Sequence, residues 1–284
     1  MQILRLVLLA LALALAAGLG LRLAGAPPPA LLAQWLHAVL APEPAAPPQQ
    51  PAIAQTAALA QPLAPASLRA RLEARVATAP AFESYFAVLR QRFPSEFPAL
   101  LDAISQPRAN GPGNLDEDVA NAMRRLRRTH GILAARAGLA AMERIPQAQL
   151  AILRAMEPGD KRLCADYFYG SGTAGFFGFS ARNRGLVAAL AIANAEAIAD
   201  GRARAATPPE AADADVQLFD DDLAARGLSR AEIETLLDSK IAEPPLDDSS
   251  LCHAGIVYFE SLLSLPEASK LRLLARLVAL AARS

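Results

Sequence analysis

Chemistry in this chain of 284 residues is most legible at its two cysteines, Cys164 and Cys252. Their settings are alike. Asp160-Lys-Arg-Leu-Cys runs on to Tyr167, Phe168 and Tyr169, and Asp248-Ser-Ser-Leu-Cys runs on to Tyr258 and Phe259. Two cysteines alone in an exported chain usually pair with each other. That bridge closes a loop of nearly ninety residues, worth about 4 to 5 kcal/mol in the chain-entropy picture, less any strain. Two buried free thiols are the plain alternative. A metal site built from Cys164, Cys252 and His253 is a third use, but it lacks the paired ligand spacing of strong zinc sites, so no metal is expected. Redox catalysis wants a C-x-x-C pair or an activated thiolate, and the sequence carries neither pattern.

Downstream of Cys164 the stretch 170–185 reads as a glycine-rich, aromatic loop. Tyr167, Phe168, Tyr169, Phe176, Phe177 and Phe179 are six of the fifteen aromatic residues of the chain. Gly170-Ser-Gly-Thr-Ala-Gly175 invites a phosphate reading, yet it lacks the Gly-Lys-Ser/Thr ending of a P-loop and no strand precedes it. It is not the strand-turn-helix G-x-S-x-G of a hydrolase either. Two uses remain for the aromatics: core packing at a chain reversal, or a groove rimmed by arginines. The second makes Tyr167, Tyr169, Phe176, Phe177, Arg182 and Arg184 the candidate binding residues. Ser171, His253 and Asp166 supply the side-chain types of a hydrolytic site, but no spacing assembles them. No cofactor is expected.

Arg124, Arg125, Arg127 and Arg128, with His130, form the basic cluster. On a helix they spread around the circumference, with Asp116, Glu117 and Asp118 a turn or two upstream. A solvated face with local ion pairs is the expectation, against an anionic partner surface. Formal net charge is zero. Nonspecific nucleic-acid affinity depends on a net positive surface, so no nucleic acid is expected as a partner.

The elements that must position these residues begin with an apolar N-terminus. Leu6 to Leu21 is free of charge between Arg5 and Arg22. As a helix it spans about 24 Å, short of the roughly 30 Å hydrocarbon core, so segment 1–25 reads as a signal peptide or a short membrane anchor. Segment 26–66 is a linker rich in proline and alanine, stiffened toward polyproline geometry, with a short helix placed over 30–40. Residues 67–284 form the folded domain.

Within that domain helical periodicity is nearly unbroken. Phe82, Phe86, Leu89 and Phe93 share a face that Pro94 ends. A long segment runs from Leu115 to about Ile145, bent or broken at Gly131 and Gly138, and Pro146 then starts another helix in the first helical position. Gly185 to Ala195 is uncharged and reads as a buried central helix, closed by Gly201. Ser229 and Glu232 match a capping box, flanked by Leu228 and Ile233 as a hydrophobic staple. Pro266 begins the last helix, with Leu271, Leu274, Val278 and Ala281 inward and Arg272 outward. The fold class expected is all-α, an irregular multi-helix bundle.

Anchor, spacer and domain together suggest an exported protein, periplasmic or held at the inner membrane through its N-terminus if that segment is uncleaved. The expected role is noncatalytic: binding or scaffolding of a protein or other cell-envelope component. The alternative is an envelope hydrolase with its site near the aromatic stretch 170–185.

Overall fold

The three- and four-residue spacing of apolar side chains is realised as twelve α-helices, with no strand among the described residues. The computed structural model describes residues 65–105, 115–170, 174–205, 208–238 and 240–282. The expectations for segment 1–25 and for the short helix 30–40 lie outside them. All the described residues belong to one compact unit built on one continuous apolar core.

At its centre, α4 (Leu115–Ala134) and α8 (Arg184–Arg202) run side by side in the same direction. Near their starts, Arg184 Nη2 donates to Asp116 Oδ2 at 2.8 Å, and Ser180 Oγ donates to Asp116 Oδ1 at 2.9 Å. Near their ends the backbones press together: a Cβ on Gly201 would lie 1.9 Å from the carbonyl oxygen of Leu133. Gly201 is therefore buried inside the last turn of α8 and does not close the helix from outside. Helix–helix approach is what demands a glycine there.

Helix α5 (Leu139–Met156) returns antiparallel along α8, with Arg144 paired to Glu196. Pro146 lies within this helix and does not begin it. The chain breaks earlier, because Gly138 takes an extended conformation and donates its amide to Asp200 Oδ2 at 2.7 Å. That bond satisfies one of the open donors at the helix start. It also holds the Asp200 carboxyl below its usual value, with Arg204 helping.

Packed around this centre are α1 (Pro65–Ala77), α2 (Glu83–Arg92) and α3 (Phe97–Ser105). Arg75 of α1 pairs with buried Asp118 of α4. Further along the chain come α6 (Lys161–Phe168), α7 (Ala174–Arg182) and α9 (Asp213–Ala225). Residues 174–182, read from sequence as part of a loop, are thus helical. The last three helices are α10 (Arg230–Asp238), α11 (Asp248–Ser264) and α12 (Glu267–Ala281). The capping box opens α10: Ser229 N donates to Glu232 Oε2 at 2.8 Å and Glu232 N to Ser229 Oγ at 3.3 Å, with Leu228 and Ile233 both buried beside it. Arg272 of α12, expected outward, is drawn in by buried Asp215 of α9, to which its Nε donates at 2.7 Å.

Candidate functional site

Cys164 of α6 and Cys252 of α11 are joined, their sulfurs 2.00 Å and their Cα atoms 5.3 Å apart. Each follows a capping aspartate. Asp160 accepts from Leu163 N at 2.8 Å and Asp247 from Ser250 N at 2.7 Å. Those caps start both helices at the positions that let the cysteines meet, and the aromatics one turn further along meet as a consequence. Phe168 lies edge-on to Tyr258 and Phe259, ring centres 5.7 Å and 5.9 Å away, and Tyr258 is edge-on to Phe219 of α9 at 5.1 Å. Edge-to-face pairs of this kind contribute beyond their buried area.

The aromatic wall faces a cavity of about 660 Å³. Natural interiors hold few voids larger than a water molecule, whereas small-molecule sites run from about 300 to 1,000 Å³. The cavity is bounded by α4, α5, α8, α11 and α12, with α10 and the chain around 240–246 at its edge. Its surface is mainly apolar, supplied by residues such as Ile145, Leu190, Ile198, Leu262 and Leu277. From α8 the lining comes from Leu190, Asn194 and Ile198, one turn apart on a single face, while the buried alanines of that helix do not line the cavity.

Few polar groups interrupt that surface. Asn194 Nδ2 donates to Leu190 O at 2.9 Å and Thr235 Oγ1 to Ala231 O at 2.8 Å, so both bond back to their own helices. Lys240 Nζ lies 2.7 Å from Glu234 Oε2. Burial pushes the Tyr258 and Tyr169 phenols above their usual values, so both remain neutral. Arg127 makes no ion pair among the described residues. It is exposed overall and also lines the cavity, and partial desolvation, with repulsion from Arg124 and Arg128, holds its guanidinium below the ordinary arginine value.

Of the six candidate binding residues, Tyr169 lines this cavity and the other five do not. Tyr167 stacks on Phe176 at 5.4 Å, and Phe176 touches Phe177 and Phe179 at 6.1 Å and 6.4 Å, which makes a second aromatic cluster between α6 and α7. Arg182 borders a separate pocket with Asp160. Arg184 is held by Asp116, and that bond raises its guanidinium above the ordinary value. Asp166 sits 3.8 Å from Arg162, while His253 is exposed on α11. Ser171 lies outside the described residues. Asp166, Tyr169, Arg182 and His253 therefore do not converge on one pocket. Among the described residues no group of three metal-ligating side chains occurs, and no helix is long and apolar enough to cross a membrane.

The basic run is exposed, but among the described residues its arginines make none of the local ion pairs expected of them. Arg124 donates to Asn121 at 3.2 Å, and the carboxylates just upstream, Asp116 and Asp118, are buried and turned to Arg184 and Arg75. His130 reaches Glu96, at 2.8 Å. The cavity itself escaped sequence reading. Its one local signal is Asn194, a lone polar residue in the otherwise apolar run from Gly185 to Ala195.

Compared with known proteins, the chain matches no family model, no curated protein and no solved structure.

Proposed function

We propose that this chain is a noncatalytic binding protein of the cell envelope whose helical domain holds a chain-like apolar molecule in its central cavity. The observation that carries this reading is the cavity of about 660 Å³, with a mainly apolar lining and a rigid aromatic wall. The disulfide supports an oxidising, extracytoplasmic compartment. An apolar N-terminal segment, cleaved as a signal or kept as an anchor, and a stiff linker would place such a domain beside the membrane from which a lipid-derived ligand comes. The hydrolase alternative needs a nucleophile, a base and an acid gathered at one place. Asp166, Arg182 and His253 stand apart, so support lies with the binder.

The test is titration of the full chain with a neutral solvatochromic dye, beside Val278→Trp, which puts an indole into the cavity. One dye per chain, with binding lost in a Val278→Trp protein of unchanged circular dichroism, is the expected result. Binding that Val278→Trp leaves intact, or no binding at all, overturns the reading.

A further inference from the structure

We propose that the molecule in the cavity is a fatty carboxylate, its head group seated on Arg127 and its tail against the apolar wall. This rests on the binding reading above and adds the chemical class of the ligand.

Two cations line the cavity, Arg127 and Lys240. Lys240 is neutralised by Glu234 at 2.7 Å, with Asp238 4.0 Å away. Arg127 has neither an ion pair nor a hydrogen bond to its side chain among the described residues, and its neighbours on α4 deepen the imbalance. Arg124 is met by the neutral amide of Asn121, and Arg128 likewise has no carboxylate among the described residues. Among the described residues Arg144, Arg154, Arg184, Arg226 and Arg272 each reach a carboxylate, whereas Arg125 and Arg136, like Arg124 and Arg128, reach none. The chain has equal numbers of acidic and basic side chains. What sets Arg127 apart from the other unpaired arginines is its place on the lining of an apolar cavity whose other cation, Lys240, is already neutralised.

Geometry places this charge where a ligand's head would lie. Gly131, one turn on, has no side chain, and the stem of Arg127 occupies that space, its Cγ 3.0 Å from where a Cβ would stand. The stem thus lies along α4 beside the cavity, and the parallel run of α4 and α8 brings Asn194 roughly level with it. Tyr167 is close enough for its phenol and the guanidinium to influence each other, and burial keeps that phenol neutral. A carboxylate accepts two parallel bonds from a guanidinium, the strongest pairing available to that side chain. Arg124 and Arg128 beside it repel the Arg127 cation, and an acidic head group would offset that repulsion.

The test uses the full chain at neutral pH and a pair of probes that differ in the head group alone, dodecanoate and dodecanol, each displacing the neutral dye. Dodecanoate is expected to bind about tenfold more tightly or better, the size of one charge-assisted hydrogen bond. Arg127→Gln should remove most of that gap while dodecanol binds as before, Arg127→Lys should keep part of it, and Arg124→Gln should leave it in place. Equal binding of both probes overturns the head-group assignment and leaves the cavity reading standing. A gap that persists in Arg127→Gln assigns the head group to another cation and overturns the proposal. If neither probe binds, the cavity reading falls and takes this one with it. Binding that vanishes as the protein self-associates would show a second copy covering the cavity, which also overturns it.

Discussion

Gly255 of α11 faces Phe168 of α6 so closely that a Cβ on it would lie 2.8 Å from the ring and 3.4 Å from the Cβ of Phe168. The two helices are drawn together by the Cys164–Cys252 bond one turn away, and the aromatic wall of the cavity follows from that approach. Disulfide, glycine and wall act as one structural unit.

Substitution of Gly255 by alanine should therefore destabilise the protein, although alanine is the better helix former by about 1 kcal/mol. The added methyl meets atoms near the Phe168 backbone, which cannot swing aside, and overpacking of this kind costs about 1 to 3 kcal/mol. A net loss of about 1 kcal/mol in urea unfolding is expected. The loss should shrink when Cys164 and Cys252 are both serine, since the helices are then free to part. An equal loss in the two backgrounds would show that the disulfide does not enforce the contact.

Reduction of the disulfide should lower unfolding stability by about 4 kcal/mol, given the long loop it closes. Dye affinity should weaken as well, because Phe168, Tyr258 and Phe259 depend on the pairing of α6 with α11. Unfolding curves measured with and without reductant check the first effect and dye titration the second. Overlapping curves would contradict the structural role given to the pair.

How much of this was legible in the sequence depended on how local each cause is. The Ser229–Glu232 capping box and the phenylalanine face ended by Pro94 could be read directly, because all the participants lie within a few turns. The cysteine pair was legible by chemistry. The break before α5 was not: the bond that fixes it joins Gly138 to Asp200, 62 residues apart, and nothing near Pro146 shows that it sits mid-helix. Arg272 looked outward on periodicity alone, since Asp215 belongs to a different helix. Arg127 was visible as one of four clustered arginines, but its lack of a partner emerges only when Asp116 and Asp118 are seen to be turned elsewhere. The cavity is the extreme case, because its lining is assembled from side chains scattered over several helices far apart in the chain.

Acid should release the α9–α12 contact. The Arg272 guanidinium bonded to Asp215 holds that carboxyl well below its ordinary value of 3.8, with the Ala212 amide donating to the same group at 2.8 Å. A carboxyl depressed in the folded state stabilises the fold fully above its unfolded value, and the contribution is lost as pH falls through the folded one. Asp215→Asn should thus lower the thermal midpoint at neutral pH, with the difference from the native protein narrowing as pH drops below the ordinary carboxylate range. A difference independent of pH would contradict the charged pairing.

The central claim is that a fatty carboxylate occupies the cavity, and the most direct measurement is photo-cross-linking of the full chain with a fatty acid bearing a diazirine on its tail. Peptide mapping should place the cross-links on cavity residues such as Ile145, Leu190, Leu262 and Leu277, and excess dodecanoate should suppress them. Cross-links confined to outward-facing residues such as Leu218, or cross-links that dodecanoate leaves unchanged, would contradict the claim.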